Sequence, residues 1–191
     1  MQFERHLKLE GLHAPFSPSQ SSWLRYDEKK AITVLENMKA KERGTRLHAW
    51  VQETIDLGIK QPRTKNTIYM YVNDAIGYNM STEVILYFSD RFFGTADTIS
   101  FRKERQEDDR WTLRIHDLKT GEKPVKMEQL EIYAALFCLE YKEDPRKIFI
   151  ELRIYQSDNV MVHTPDPENI VEIMNHIMRL DKAILQKDKE V

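Results

Sequence analysis

The chain has 191 residues, of which 41% are hydrophobic and 31% are charged, and its formal net charge is -2. These values are typical of one globular domain with its own core, and they exclude a disordered chain. The small net charge provides no general attraction to nucleic acid, so any such binding requires a local basic patch. The single cysteine, Cys138, excludes both an intrachain disulfide and a metal site made of cysteines alone.

No apolar stretch is long enough to span a bilayer, and the N-terminus lacks the apolar run of a signal peptide. We therefore expect a soluble cytoplasmic protein without membrane contacts.

The first half of the chain predicts helices. After a polar arm over residues 1–15, Ser17, Pro18 and Gln20 form a capping pattern that predicts a helix start. A charged connection is expected to end this helix, and two further helices follow it. The predicted connection is 39–44, and the two helices are 45–57, with Gly58 as its stop, and 67–76.

Beyond residue 80 the hydrophobic period changes from that of a helix to that of a strand. Three strands, a helix, two strands and a closing helix are predicted in this order. The strands are 82–88, 92–101, 111–118, 147–155 and 160–163, and the helices are 127–141 and 165–187. Short connections predict an antiparallel meander for the first three strands, with turns at 89–91 and 106–109. The fold class is α/β, with a central mixed β-sheet flanked by helices.

Asp117 and Lys119 lie at the end of the third predicted strand, with one residue between them. Because strand side chains alternate, the two charged groups share a face. Asp97 lies on the adjacent strand, after Gly94, which allows close approach of a backbone or ligand. Two carboxylates on neighbouring strands can share Mg²⁺ or Mn²⁺, and the backbone carbonyl of Leu118 can add another oxygen ligand.

Further polar residues accompany this strand end. Gln129 and Tyr133 are four residues apart on one helix and share a face, from which they can bind phosphate or orient the lysine. His48 can be a metal ligand or contact the substrate. Arg43 and Arg46 lie at a predicted helix start, which favours phosphate, in a segment with a local charge of +3 (six Lys/Arg and three Asp/Glu over residues 41–65).

In order, the motifs are G-T-x-x-H at Gly44–His48, G-x-x-D at Gly94–Asp97, D-x-K-T-G at Asp117–Gly121 and Q-x-x-x-Y at Gln129–Tyr133. This ordered set resembles the RecB-type branch of the PD-(D/E)XK nucleases, and residues 16–19 resemble the helix start that precedes the nuclease core there. The resemblance covers about residues 16–155. It implies a restriction-endonuclease-like core within a single nuclease domain, residues 1–191.

The resemblance also implies roles for these residues. Lys119 would position or activate the attacking water, and Gln129 and Tyr133 would act at the DNA or support the lysine. The implied ligands of Mg²⁺ or Mn²⁺ are Asp97, Asp117, the Leu118 carbonyl and His48. Several relatives hold an iron–sulfur cluster with four cysteines. Because Cys138 is alone, no cluster is expected here.

We therefore expect a DNA exonuclease, in preference to an endonuclease, acting in recombination, repair or phage replication, in the host cytoplasm if a phage encodes it. Arg43, Arg46 and Tyr133 are the expected DNA contacts. The alternatives are an RNA nuclease and a non-catalytic module that binds nucleic acid or protein on the same fold. Because the net charge is negative, we expect a homo-oligomer that pools basic patches, or a recombination or replication partner that delivers DNA.

Overall fold

The computed structural model describes residues 14–16, 18, 21–103, 110–121 and 126–188. The chain divides into two compact units, Met1–Leu47 and His48–Val191. The first unit contains a short 3₁₀ helix, Ser21–Arg25, and the first part of helix α1, Glu28–Asp56. The second unit contains the rest of α1 and the whole β-sheet. The prediction of a single domain remains a prediction.

Helix α1 is continuous over 29 residues, so the predicted connection at 39–44 is wrong. That stretch is rich in Lys, Glu, Arg and Ala, which are strong helix formers, and one internal glycine costs only about 1 kcal/mol. The helix begins after Asp27, whose Oδ1 accepts a hydrogen bond from the Lys30 N–H at 2.7 Å. The predicted start at Pro18 is therefore also wrong, while Ser17 and Gln20 of the predicted cap lie outside the described residues.

Two helix ends follow their local sequence. Gly58, just after α1, has a φ of 66°, the left-handed conformation that favours glycine, and its N–H donates to Ile55 O at 2.9 Å. It is the stop that the sequence predicts. Helix α2, Thr67–Gly77, starts where the Asn66 side chain accepts hydrogen bonds from the N–H groups of Ile68 and Tyr69.

The second unit is built on a five-stranded sheet with the strand order β1-β2-β3-β4-β5. The strands are β1 Ser81–Ser89, β2 Phe92–Lys103, β3 Trp111–Lys119, β4 Phe149–Gln156 and β5 Asn159–His163. Neighbours are antiparallel except β3 and β4, which are parallel because helix α3, Glu128–Tyr141, connects them. Helix α4, Pro167–Asp188, closes the chain. The predicted α/β fold with a mixed sheet is confirmed, while the predicted turn at 106–109 lies outside the described residues.

The hydrophobic core lies between the sheet and helices α3 and α4. Leu113 and Ile115 of β3 and Leu152 and Ile154 of β4 are at most 1% exposed there, and Cys138 is buried among them. Helix α2 packs on the opposite face of β3 and β4. Within the described residues, no helix is long and apolar enough to cross a membrane.

Candidate metal and catalytic site

The end of β3 presents an acid and a lysine on one face of the sheet. Lys119 Nζ lies 2.9 Å from Asp117 Oδ1, and the Asp117 side chain is only 4% exposed. The alternation of the strand explains this contact, since residues two apart point to the same side. The remaining oxygen, Asp117 Oδ2, is buried and has no hydrogen-bond partner among the described residues.

Asp97 lies near Asp117, on the neighbouring strand β2. The pairing of β2 and β3 ends at Thr98 and His116, one residue before the two acids, and repulsion from Asp97 reaches the Asp117 carboxyl. Asp97 Oδ2 accepts a hydrogen bond from the Leu118 N–H at 3.1 Å and lies 3.7 Å from His48 Nδ1. The observed contact of Leu118 is therefore made by its peptide N–H, and the predicted role of its carbonyl stays a prediction.

Burial disfavours the charged form of both acids. Burial raises the pKa of Asp97, and the Leu118 N–H, His48 and Lys119 act in the opposite direction. Burial also raises the pKa of Asp117, and repulsion from Asp97 adds to this effect. Two carboxylates with little solvent, one of which has an unpartnered oxygen, form a site where a divalent cation would compensate the negative charge.

Glu83 belongs to this site, and the sequence analysis missed it. One ligand atom each from His48, Glu83 and Asp97 lie within 4.8 Å of one another, and this group does not include Asp117. The register between Thr82–Thr98 and Val84–Ala96 places Glu83 opposite Asp97 on β1. The three side chains line a narrow cavity of about 10 Å³, roughly the space that a single water needs.

The backbone is irregular at this point of both strands. Glu83 has a φ of 48°, which is unfavourable for a residue with a side chain, particularly within a strand. On β2, Ala96 and Ile99 both belong to the hydrophobic core although they are three residues apart, so the alternation of the strand is interrupted between them. The interruption falls at Asp97 and lets this acid lie near His48.

Helix α3 brings Tyr133 onto β2. A Cβ atom added to Gly94 would lie 2.8 Å from Tyr133 Cε1, so the absence of a side chain at Gly94 makes room for the ring. This is the close approach that a glycine inside a strand indicates. Gln129 Nε2 lies 3.5 Å from the Tyr133 hydroxyl, at the outer limit of a hydrogen bond. The two side chains therefore share a helix face. The Tyr133 ring contacts β2 at Gly94, which lies three residues before Asp97 on that strand.

Arg43 and Arg46 lie in the first unit, and both are exposed. Arg46 forms an ion pair with Glu42 at 2.6 Å, one turn earlier on the same helix. An exposed pair of this kind contributes about 0.3–0.5 kcal/mol. The role of Arg43 and Arg46 in DNA binding stays a prediction.

A charged layer supports β3 from the α2 side. Glu151 on β4 contacts Arg114 Nε and Arg153 NH2, each at 3.0 Å, and lies 3.9 Å from His116 Nε2. Arg153 also binds Asp74 of α2 at 3.0 Å. The cations and His116 outweigh the effect of burial and lower the pKa of Glu151 to about 2. This network joins α2 to strands β3 and β4 and so supports the strand that carries Asp117.

No family model and no curated protein matches the chain. Among solved structures, the crystal structure of SSO0001 is similar at 13% identity, with a TM-score of 0.32. The similarity covers 60% of this chain and 57% of that one.

Proposed function

We propose that the chain is a divalent-metal-dependent DNA nuclease, with exonuclease action expected before endonuclease action. The observation that carries the proposal is the pair of buried acids Asp97 and Asp117 on neighbouring strands, with Lys119 bound to one of them and His48 and Glu83 beside the other. The order of the motifs along the chain adds support from the sequence.

The donor atoms fit Mg²⁺ or Mn²⁺. Carboxylate oxygens are the ligands that both ions prefer, and Mn²⁺ also accepts an imidazole nitrogen. His48, Glu83 and Asp97 would hold the ion, and the unpartnered Asp117 Oδ2 would be a further oxygen donor. When bound, the ion would polarise the phosphate and lower the pKa of a water.

Other groups of the site would have separate roles in binding and cleavage. Lys119 would keep a positive charge next to the attacking water and the developing phosphate charge, and its bond to Asp117 fixes the position of Nζ. The Leu118 N–H would hold Asp97 in one orientation. Tyr133, fixed on Gly94, and Gln129 would donate hydrogen bonds to the DNA phosphate, which orients the strand for cleavage.

Two nearly isosteric variants test the proposal. Asp117→Asn and Lys119→Met should each lower cleavage of end-labelled linear DNA in Mg²⁺ or Mn²⁺ by about 100-fold or more, the usual cost of removing a charge-stabilising group. Asp158→Asn and Lys147→Met, on turns away from the site, are the matched controls and should cut like the wild type. The proposal is wrong if both site variants still cut at the control rate.

Substrate form separates the remaining possibilities. An exonuclease degrades linear DNA and leaves closed circular DNA intact, whereas an endonuclease cuts both. A parallel RNA substrate tests the RNA nuclease. If the wild type binds DNA but cuts neither DNA nor RNA with either metal, the chain is a non-catalytic module.

A further inference from the structure

A groove of about 1020 Å³ lies between helices α3 and α4. Its volume is at the upper limit of pockets for small molecules, so a larger occupant such as a peptide segment fits it better. The two helices and strand β2 contribute apolar side chains to the lining, which are Ile132, Ile173, Ile177 and Phe92. None of them belongs to the candidate metal and catalytic site. We call this surface the α3–α4 groove.

The α3–α4 groove carries acidic side chains from both helices. Glu128 of α3 and Glu172 of α4 line it, and both are exposed. Within the part of the chain that the structure describes, neither carboxylate forms an ion pair. A third acid, Glu131, is bonded to a histidine of β5, and Arg179, the cation of the lining, lies 2.7 Å from His176 Nδ1. Two carboxylates therefore remain for a basic ligand.

Helix α4 continues beyond the point at which Asp181 ties it to the first hairpin of the sheet. The buried Asp181 carboxylate accepts hydrogen bonds from Ser89 Oγ at 2.7 Å and from Arg91 Nε at 3.0 Å. After this contact, all residues over 182–187 are exposed. The last turns of α4 are therefore presented to solvent.

This end of α4 is amphipathic although it is exposed. Leu180, Ile184 and Leu185 are 39–40% exposed, and their spacing follows one side of the helix. At 3.6 residues per turn, Lys182 and Lys187 flank this apolar stripe on opposite sides. Neither lysine forms an ion pair with a described residue. We call residues 180–187 the α4 end.

The two surfaces match in chemistry and in length. The α4 end has an apolar stripe between two lysines, and the α3–α4 groove has an apolar lining with two carboxylates. At 1.5 Å per residue the α4 end is about 11 Å long, and the part of α4 that lines the groove, residues 169–179, is about 15 Å long. An amphipathic helix lying in an apolar groove is a common mode of protein recognition.

We propose that the α4 end of one copy of the chain docks into the α3–α4 groove of a second copy, where its two lysines pair with Glu128 and Glu172. A chain does not fill its own groove, because α4 is one continuous helix and its end cannot turn back beside residues 169–179. Each copy carries both surfaces, and the surfaces differ, so the contact is heterologous and joins copies head to tail. This assembly goes beyond the proposed nuclease function and does not depend on it.

The test is sedimentation velocity of the full chain over a wide range of protein concentrations, with two charge-reversed variants. The groove variant carries Glu128→Lys and Glu172→Lys, and the end variant carries Lys182→Glu and Lys187→Glu. Each variant alone should raise the dissociation constant of the assembly by about 10-fold or more, because like charges then face each other. An equimolar mixture should assemble again, because the unchanged end meets the unchanged groove and the reversed end meets the reversed groove.

The apolar part of the contact is tested separately. Leu185→Gln should also raise the dissociation constant by about 10-fold, because it places a polar side chain against the apolar lining. Leu24→Gln is the matched control, since Leu24 is 70% exposed and lies on the short 3₁₀ helix. Glu36→Lys and Lys39→Glu, both exposed on α1, are the controls for a change of charge and should assemble like the wild type.

Recovery in the mixture separates docking from a fault in folding, since mixing does not restore a misfolded chain. The proposal is wrong if the wild type is a monomer at every concentration, or if the groove and end variants each assemble like the controls. It also fails if the mixture stays apart, because another surface then makes the contact. These measurements need neither DNA nor metal, so their outcome is independent of the nuclease test.

Discussion

Substitution of Gly94 by alanine tests the contact that fixes Tyr133 at the candidate site. The new Cβ would lie 2.8 Å from Tyr133 Cε1, whereas carbon atoms in favourable contact are about 3.5 Å apart or more. The ring or the strand must therefore move by about 0.7 Å (3.5 minus 2.8). Gly94 does not have a positive φ, so alanine meets no backbone strain there.

The expected loss of stability is moderate. Overpacking of this kind costs about 1–3 kcal/mol, and the lower chain entropy of alanine returns about 0.4–1 kcal/mol. A net loss of about 1–2 kcal/mol lowers the melting temperature of a chain of this size by about 2–8 °C. Under the proposed function, cleavage should fall as well, because the displaced Tyr133 no longer meets the DNA phosphate in the same place.

A double-mutant cycle gives the measurement. In a Tyr133→Leu background the clash is absent, and Gly94→Ala should be neutral or stabilising in urea unfolding. Gly77→Ala, at the last residue of α2, is the matched control, since a Cβ there meets nothing within 4 Å and the change should be neutral or slightly stabilising in both backgrounds. An equal cost of Gly94→Ala in both backgrounds would show that Tyr133 does not lie over Gly94.

Two further predictions concern charged groups. The pKa of Glu151 is about 2 in the fold and 4.5 otherwise, so its contribution to stability is present above pH 4.5 and is lost as the pH falls towards 2. This contribution is at most about 3 kcal/mol, and urea unfolding across that range should show it in the wild type but not in Glu151→Gln. Glu83→Asn should stabilise the protein in EDTA by about 1 kcal/mol, because asparagine tolerates a positive φ and a charge beside Asp97 is removed. The same variant should reduce the rise in melting temperature that Mn²⁺ gives to the wild type, and an undiminished rise would exclude Glu83 as a ligand.

The strands were predictable because apolar and polar residues alternate along them. In β3, however, the polar residues of this pattern are buried, which the sequence does not reveal. Its residues 112–118 are all buried, so Arg114 and His116 do not face solvent. Their partner Glu151 comes from β4, more than 30 residues later, and only the parallel pairing of the strands brings it near. An alternating pattern thus predicts the strand, but it does not show whether the polar residues face solvent or a buried partner.

Two parts of the chain show where local patterns fail. The charged segment 39–44 resembles a connection, yet its side chains favour a helix and α1 passes through it. Glu83 was missed because no motif contains it. Counting the register back from the turn at 89–91 would set Glu83 against Thr98, because Ser89 pairs with Phe92. The β-bulge between Tyr87 and Ser89 shifts the pairing by one residue and sets Glu83 against Asp97, and the sequence does not show that bulge.

The N–H of Leu118 holds Asp97, while the Leu118 side chain is buried away from it, 1% exposed. The bond therefore depends on the backbone at position 118 and not on the identity of the residue. Any apolar residue of suitable size can stand between Asp117 and Lys119, and proline alone is excluded, because it has no N–H to donate. In a library randomised at position 118, we expect apolar residues that fit the space on the α2 side, and we expect no proline.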